Sequence, residues 1–117
     1  MKSNDEINEV KALLKQFYAR EGNERCGFVC DGEIIEVKNS ADNPTTGFFI
    51  GPEDVIKFTE EKNSWATWHT HPSQDANLSG SDHNMFLNWP ELVHFIVGSD
   101  GVKCYQYDSN KKAVLAI

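Results

Sequence analysis

The segment 65-WATWHTHPSQDANLSGSD-82 begins as a strand-like run, continues as a polar loop and ends at the start of a short helix. His69 and His71 are two residues apart on the predicted strand. Both imidazoles should therefore project from one face, with their Cα atoms roughly 6.6 Å apart. Two histidines placed in this way suit one metal ion. The segment thus predicts a metal site near the end of a strand.

Two carboxylates are candidates to complete this site. Catalytic zinc typically takes three protein ligands and keeps one position for water. Asp82 lies in the first turn of the predicted helix, where the loop can return it to the histidines. Glu24, far upstream, is the candidate base that takes a proton from the water without binding the ion. We expect one Zn²⁺ ion held by His69, His71 and Asp82.

Each of these residues also has a simpler interpretation when it is taken alone. Ser79 followed by Asp82 is typical of a helix N-terminus, where both side chains favour the exposed backbone amides. A His-Thr-His strand is also found half-buried at protein surfaces, and an isolated glutamate such as Glu24 is usually solvated. Capping by Ser79 and Asp82 is compatible with a catalytic role. The combination of all five residues favours a shared site.

The same residues carry a resemblance to a known family. The pattern 24-ERCG-27, then 69-HTHP-72, six residues, Ser79, two residues and Asp82 resembles the JAMM (JAB/MPN) metalloproteases. This resemblance implies that His69, His71 and Asp82 bind zinc, that Glu24 is the general acid/base, and that Ser79 steadies the tetrahedral oxyanion. It also implies an α/β fold of the JAB/MPN type, related to the cytidine deaminases, with a mixed, mostly antiparallel sheet flanked by helices.

The implied activity is hydrolysis of a peptide or isopeptide bond by metal-activated water. The chain lacks the long insertions of eukaryotic deubiquitinating members and is more similar to compact bacterial and phage members. The run 48-FFIGPED-54, with Trp89-Pro90, is similar to the N-terminal domain of phage tail-assembly peptidases. The expected substrates are a peptidoglycan peptide, a tail protein or a ubiquitin-like tail. The expected location is the cytoplasm, or the virion tail if the chain is phage-derived.

Other functions fit less of the sequence. A non-catalytic structural or binding module of a phage tail or other assembly would keep the fold after losing motif residues, and none is lost here. Zinc-dependent nucleoside deamination would need His-x-Glu and Pro-Cys-x-x-Cys signatures, which the chain lacks. Cys26 has no histidine at a spacing typical of a thiol nucleophile. His83 and His94 are expected to be structural.

Composition limits the partners. The 117 residues are enough for one domain, residues 1–117, but not for two. The net charge of −7 disfavours nucleic acid and anionic membranes, and the longest apolar run, Ala113 to Ile117, is far below a membrane span of roughly 20 residues. Met1 to Val10 lacks the apolar core of a secretory signal. The three cysteines, an odd number without CxxC spacing, should be reduced thiols.

Local patterns predict the order of the elements. Ser3 and Glu6 form a predicted capping box for a helix that ends before Gly22. Asp31-Gly32 should form a type I′ hairpin turn. The predicted strands are Arg25–Cys30, Glu33–Lys38, Gly47–Ile50, Trp65–His71, Leu92–Val97, Val102–Tyr107 and Ala113–Ile117, the last three as a meander, with helices at Pro52–Lys62 and Gly80–Asn88.

Overall fold

The computed structural model describes residues 3–117. Residues 1 and 2 belong to the predicted domain and to the N-terminal segment that was compared with a secretory signal, and they lie outside the described residues. The helices are α1 (Asn4–Leu14, continued by a 3₁₀ turn at Lys15–Phe17), α2 (Pro52–Ile56, continued by a π-helical turn at Lys57–Glu61) and α3 (Gly80–Phe86). The strands are β1 (Cys26–Cys30), β2 (Glu33–Val37), β3 (Ala66–Thr70), β4 (Val93–Gly98), β5 (Gly101–Asp108) and β6 (Ala113–Ala116).

The strands form one six-stranded sheet in the order β2-β1-β3-β4-β5-β6. Only β3 and β4 pair in parallel, and the other four pairings are antiparallel. The C-terminal strands form the predicted meander. The expected α/β class with a mixed, mostly antiparallel sheet is therefore confirmed.

Successive side chains of each strand point to opposite faces of the sheet, and helices pack against the side chains on both faces. On one face, α1 contributes Val10 and Leu14 to a core that includes Trp68 and Phe95. The side chains of the opposite parity pack against the segments around α2 and α3, in clusters that include Phe28, Phe58, Phe86 and Ile96. His69 has the same parity as the second set, so the predicted site lies on the α2–α3 face.

The capping box and the first hairpin form as predicted, but the hairpin turn differs. Ser3 accepts from the Glu6 amide, and the Glu6 side chain accepts from the Ser3 amide. β1 and β2 pair with Cys30 opposite Glu33. Asp31 has a φ of 53°, whereas Gly32 does not have positive φ. A type I′ turn needs positive φ at both central residues, so that turn type is wrong.

The predicted strand at residues 47–50 is also wrong, because this segment joins no sheet ladder. The Asn39 carboxamide donates to the Gly47 carbonyl at 3.0 Å and accepts from the Phe49 amide at 3.1 Å. This side chain thus satisfies two backbone groups of the segment, and the Phe49 carbonyl accepts from the Ser40 amide at 2.8 Å. Phe48 and Ile50 are buried. The alternation of buried apolar residues at positions 47–50 therefore comes from packing onto one face of the sheet and not from strand pairing.

All three cysteines are free thiols. None of the helices within residues 3–117 combines the length and apolarity that a membrane crossing requires.

Candidate metal centre

The two motif histidines lie at the carboxyl end of the central strand β3. His69 is opposite Cys26 of β1 and Ile96 of β4, and it is fully buried. His71 follows the last strand residue, and its amide donates to the Val97 carbonyl at 2.8 Å, which extends the parallel pairing. Both imidazoles therefore lie on one side of the sheet, held by hydrogen bonds on both flanks of β3.

Asp82 reaches both histidines from α3. The Nε2 atoms of His69 and His71 are 3.0 Å apart. Asp82 Oδ1 lies 3.1 Å from Nε2 of His69, and its Oδ2 lies 3.1 Å from Nε2 of His71. Ligands of one tetrahedral zinc ion, each about 2.0 to 2.1 Å from it, are separated by about 3.3 Å. The two Nε2 atoms are thus spaced within a few tenths of an ångström of that separation, and each faces a different oxygen of Asp82.

The contacts of His71 leave two hydrogen-bond acceptors facing each other unless the ring carries a second proton or a cation lies beside it. Its Nδ1 lies 2.9 Å from the Asp75 carbonyl, which can only accept, so Nδ1 carries the proton. In a neutral ring, Nε2 then presents a lone pair to the carboxylate of Asp82, which also only accepts. A cation or an additional proton must lie between them. A metal ion fits, and a ligand histidine that donates from its other nitrogen to a carbonyl is usual at metal sites.

Glu24 lies beside the histidines, just before β1. Its carboxylate and the imidazole nitrogens of His69 and His71 all lie within 4.8 Å of one another, and all three residues are buried. This group could hold a metal ion. Thr70, between the histidines, fixes the position, because its hydroxyl accepts from the Arg25 amide at 2.9 Å and its own amide donates to the Arg25 carbonyl at 2.9 Å. The early segment is thus fastened directly to β3.

Asn39 holds Glu24 from the other side. Its carboxamide donates to the Glu24 carbonyl at 2.8 Å, while the Glu24 amide donates to the Pro44 carbonyl at 2.7 Å. The same Asn39 side chain organises residues 47–49, as described above. One polar side chain therefore ties the acid to the segment that carries Phe48.

The pKa values of the four ionisable groups in the site are shifted in different directions. Burial raises the pKa of Glu24 to about 7, with His71 opposing and Asp82 adding to this effect. Burial would also raise the pKa of Asp82, but hydrogen bonds from His69 and His71 hold it far below its usual range. Burial lowers the pKa of His69. For His71, contacts with Asp82 and the Asp75 carbonyl outweigh burial, and its pKa is raised.

Ser79 caps α3 as the sequence suggested. Its hydroxyl oxygen accepts from the Asp82 amide at 3.1 Å, and Asp82 Oδ2 accepts from the Ser79 amide at 3.2 Å. This capping box orients the Asp82 carboxylate, and because the Ser79 oxygen acts as acceptor, its proton remains available to donate. Ser79 also lies 3.3 Å from the Ser81 hydroxyl.

Four of the five motif residues face a common pocket of about 190 Å³, and the fully buried His69 does not line it. Its lining includes Glu24, His71, Ser79 and Asp82, together with Phe48. A larger apolar groove of about 530 Å³ adjoins it, since Met85 lines both cavities. The buried polar cluster is thus accessible from one side and lies next to an apolar surface.

His94 and Cys26 also lie near the site, and their surroundings indicate structural roles. His94 is fully buried, with Nδ1 2.6 Å from the Thr67 hydroxyl and Nε2 3.0 Å from the Trp89 carbonyl, and burial lowers its pKa to about 4. Burial raises the pKa of Cys26 to about 12. A neutral thiol is a poor nucleophile, which argues against Cys26 as a catalytic nucleophile.

Several contributing residues were missed in the sequence analysis. Thr70 was quoted within the motif without a role, and Phe48 was noted only as part of an apolar run. Asp75 acts through its backbone carbonyl, which any residue type supplies, so no sequence signal identifies it. Asn39 stands in a polar loop where asparagine is ordinary.

Comparisons with known proteins support the fold. No protein-family model matches the chain, and no curated protein matches it either. The solution structure of protein DSY2949 from Desulfitobacterium hafniense is similar, with a TM-score of 0.64 and 18% sequence identity. The likeness covers 98% of this chain and 87% of that chain. At this identity, the similarity shows a shared mixed α/β fold.

Proposed function

We propose that this chain is a zinc-dependent metallopeptidase or isopeptidase with a JAB/MPN fold. One observation carries the proposal: the motif residues His69, His71 and Asp82 converge at 3.0 to 3.1 Å, with the buried carboxyl of Glu24 beside them. Desolvated ligand groups next to an acid of raised pKa are typical of catalytic centres and costly elsewhere.

His69, His71 and Asp82 would hold the zinc ion. When bound, zinc supplies Lewis-acid chemistry that activates water and polarises the scissile carbonyl. Glu24 also lies within reach of a metal beside His69 and His71, and we assign it outside the ligand set because the resemblance gives the third ligand position to Asp82, whose oxygens each lie 3.1 Å from one imidazole nitrogen. This division leaves the Glu24 carboxylate free to move protons.

Glu24 acts as the general base and then as the general acid. It takes a proton from the attacking water and delivers it to the leaving amine. A pKa of about 7 suits both steps, since the group can accept and release a proton near neutral pH. Buried but open to the pocket, the carboxyl can reach a substrate.

Ser79 supplies a hydrogen-bond donor to the oxyanion. Its oxygen accepts from the Asp82 amide, and its proton can be donated either to the Ser81 hydroxyl at 3.3 Å or to a substrate oxygen in the pocket that Ser79 lines. A fixed donor of this kind stabilises the negative charge that develops on the carbonyl oxygen. The substrate classes follow from the resemblance: a peptidoglycan peptide, a phage tail protein or a ubiquitin-like tail.

Turnover by zinc-loaded variants tests this function. Wild type, Glu24→Gln and His71→Ala would be incubated with a peptide library, a cross-linked peptidoglycan peptide and a ubiquitin-like fusion, and the products identified by mass spectrometry. Wild type should cleave at least one class. Glu24→Gln should keep zinc but lose about 10²- to 10⁴-fold in rate, as expected for a lost general base. Zinc binding without any cleavage would instead favour a non-catalytic binding module.

A further inference from the structure

The two histidines of the site are held by different means. His71 is fixed by its hydrogen bond to the Asp75 carbonyl at 2.9 Å. Nδ1 of His69 is buried and has no hydrogen-bond partner within the described residues. A metal-binding histidine almost always donates from its second nitrogen, and that bond sets the ring orientation. The contacts of His69 Nε2 with Asp82 and His71, at 3.1 and 3.0 Å, lie on the side that would face the ion, so no hydrogen bond from the second nitrogen fixes the ring.

Aromatic packing provides the alternative constraint. The ring of Phe48 stacks on His69 with centroids 4.4 Å apart and planes inclined by 28°. Phe86 contacts His69 less directly, at 6.1 Å and 60°. The Phe86 ring stacks instead on His94, with centroids 4.0 Å apart and planes inclined by 5°. Phe48 is therefore the aromatic residue whose face limits rotation of the His69 imidazole.

Phe48 is itself held in place. It is 8% exposed, and hydrogen bonds from Asn39 fix the residues on both sides of it. A backbone hydrogen bond from the Ser40 amide to the Phe49 carbonyl, at 2.8 Å, also holds this segment. The ring thus has a fixed position against His69 and also lines the catalytic pocket.

We propose that Phe48 is a positioning residue for the metal centre: its stacked ring replaces the hydrogen bond that His69 lacks. The inference rests on the proposed function, in which His69 binds zinc through Nε2. Removing the flat ring would let the imidazole rotate, so Nε2 would point toward the ion for a smaller part of the time. Loss of such support typically weakens metal binding about 10- to 100-fold.

Phe58 offers a matched control within the same apolar cluster. It is 7% exposed and stacks on Phe28 with centroids 5.4 Å apart and planes inclined by 24°, away from any proposed ligand. Phe48→Leu and Phe58→Leu both remove one buried ring and should lose similar stability. Only Phe48→Leu should affect the metal centre.

The test measures zinc affinity by chelator competition and records the absorption spectrum of the Co²⁺-substituted proteins. Phe48→Leu should bind zinc about 10- to 100-fold more weakly and change the cobalt spectrum, while Phe58→Leu and Phe48→Tyr stay near wild type. If Phe48→Leu does not fold, Phe48→Met, which fills similar space without a flat ring, takes its place.

The outcomes separate this inference from the proposed function. If wild type binds zinc and Phe48→Leu matches it in affinity and cobalt spectrum, the positioning role is wrong and the metal centre stands. Equal weakening by Phe58→Leu would also overturn it, because the effect would then be general loss of packing. If wild type binds no zinc, the proposed function itself fails.

Discussion

Glu24 combines its proposed catalytic role with an electrostatic cost to the folded protein. Its pKa rises from the ordinary value of 4.5 to about 7, chiefly through burial. Between these two values the folded chain keeps a proton that the unfolded chain releases. The free energy of unfolding contributed by this residue therefore falls as pH increases from 4.5 to 7. Above pH 7 the buried charge is a net destabilising feature.

Replacing this charge should stabilise the metal-free protein. At pH 8, we expect Glu24→Gln to raise the free energy of unfolding by on the order of 1 kcal/mol, because one pKa unit corresponds to about 1.4 kcal/mol and solvent in the pocket screens part of the effect. At pH 4 the gain should disappear. Urea unfolding at both pH values measures this difference, with the exposed Glu33→Gln as control. A variant that is no more stable than wild type at pH 8 would contradict the result.

At the level of the elements, sequence patterns predicted what depends on near neighbours. The Ser3 capping box, the β1–β2 hairpin and α3 all follow from residues a few positions apart. The failed strand at residues 47–50 depends on Asn39, which lies eight to ten residues away and acts through its side chain. The turn type at Asp31-Gly32 depends on the geometry with which β1 and β2 meet. Residue preferences give only an average over such geometries.

The loop between β3 and α3 packs its backbone closely against Gly98. A Cβ atom on Gly98 would overlap the backbone of Asp75 and Ala76, whose segment supplies the carbonyl that holds His71. Backbone cannot give way as a flexible side chain can. Gly98 of β4 thus lets the loop pack where its Asp75 carbonyl can hold His71, a proposed metal ligand.

Gly98→Ala should therefore disturb both stability and metal binding. We expect a loss of about 1 to 3 kcal/mol in the free energy of unfolding from overpacking. Zinc affinity should fall about 10-fold or more as the Asp75 carbonyl shifts. Gly51→Ala is the control, since nothing lies within 4 Å of its added Cβ. Unfolding and chelator competition would measure the two effects, and equal zinc affinity in both variants would argue against the loop's role.

For the whole molecule, the site is assembled from three distant parts of the chain. The sequence motif predicted residues 24, 69, 71 and 82 together, although simple spacing gives no reason to place Glu24 near His69. The sheet supplies that reason, because antiparallel pairing sets Cys26 opposite His69. Long-range pairing of this kind is not readable from local patterns.

Because the proposed ligands come from separate elements, zinc should stabilise the entire fold. Binding at 100 times the dissociation constant adds about 2.7 kcal/mol, which corresponds to a Tm increase on the order of 10 °C for a domain of this size. Thermal unfolding with zinc, with Mg²⁺ as the ion control, measures the shift. His71→Ala should show none, and a shift equal to that of wild type would place the zinc elsewhere.

Zinc stoichiometry and affinity in wild type, Glu24→Gln, Asp82→Ala and His71→Ala, measured by calorimetry, test the central assignment most directly. The account predicts one zinc ion in wild type, near-wild-type affinity in Glu24→Gln, and severe loss of binding in Asp82→Ala and His71→Ala. If Glu24→Gln loses zinc while Asp82→Ala retains it, Glu24 is a ligand and not the base, and the proposed division of roles is contradicted.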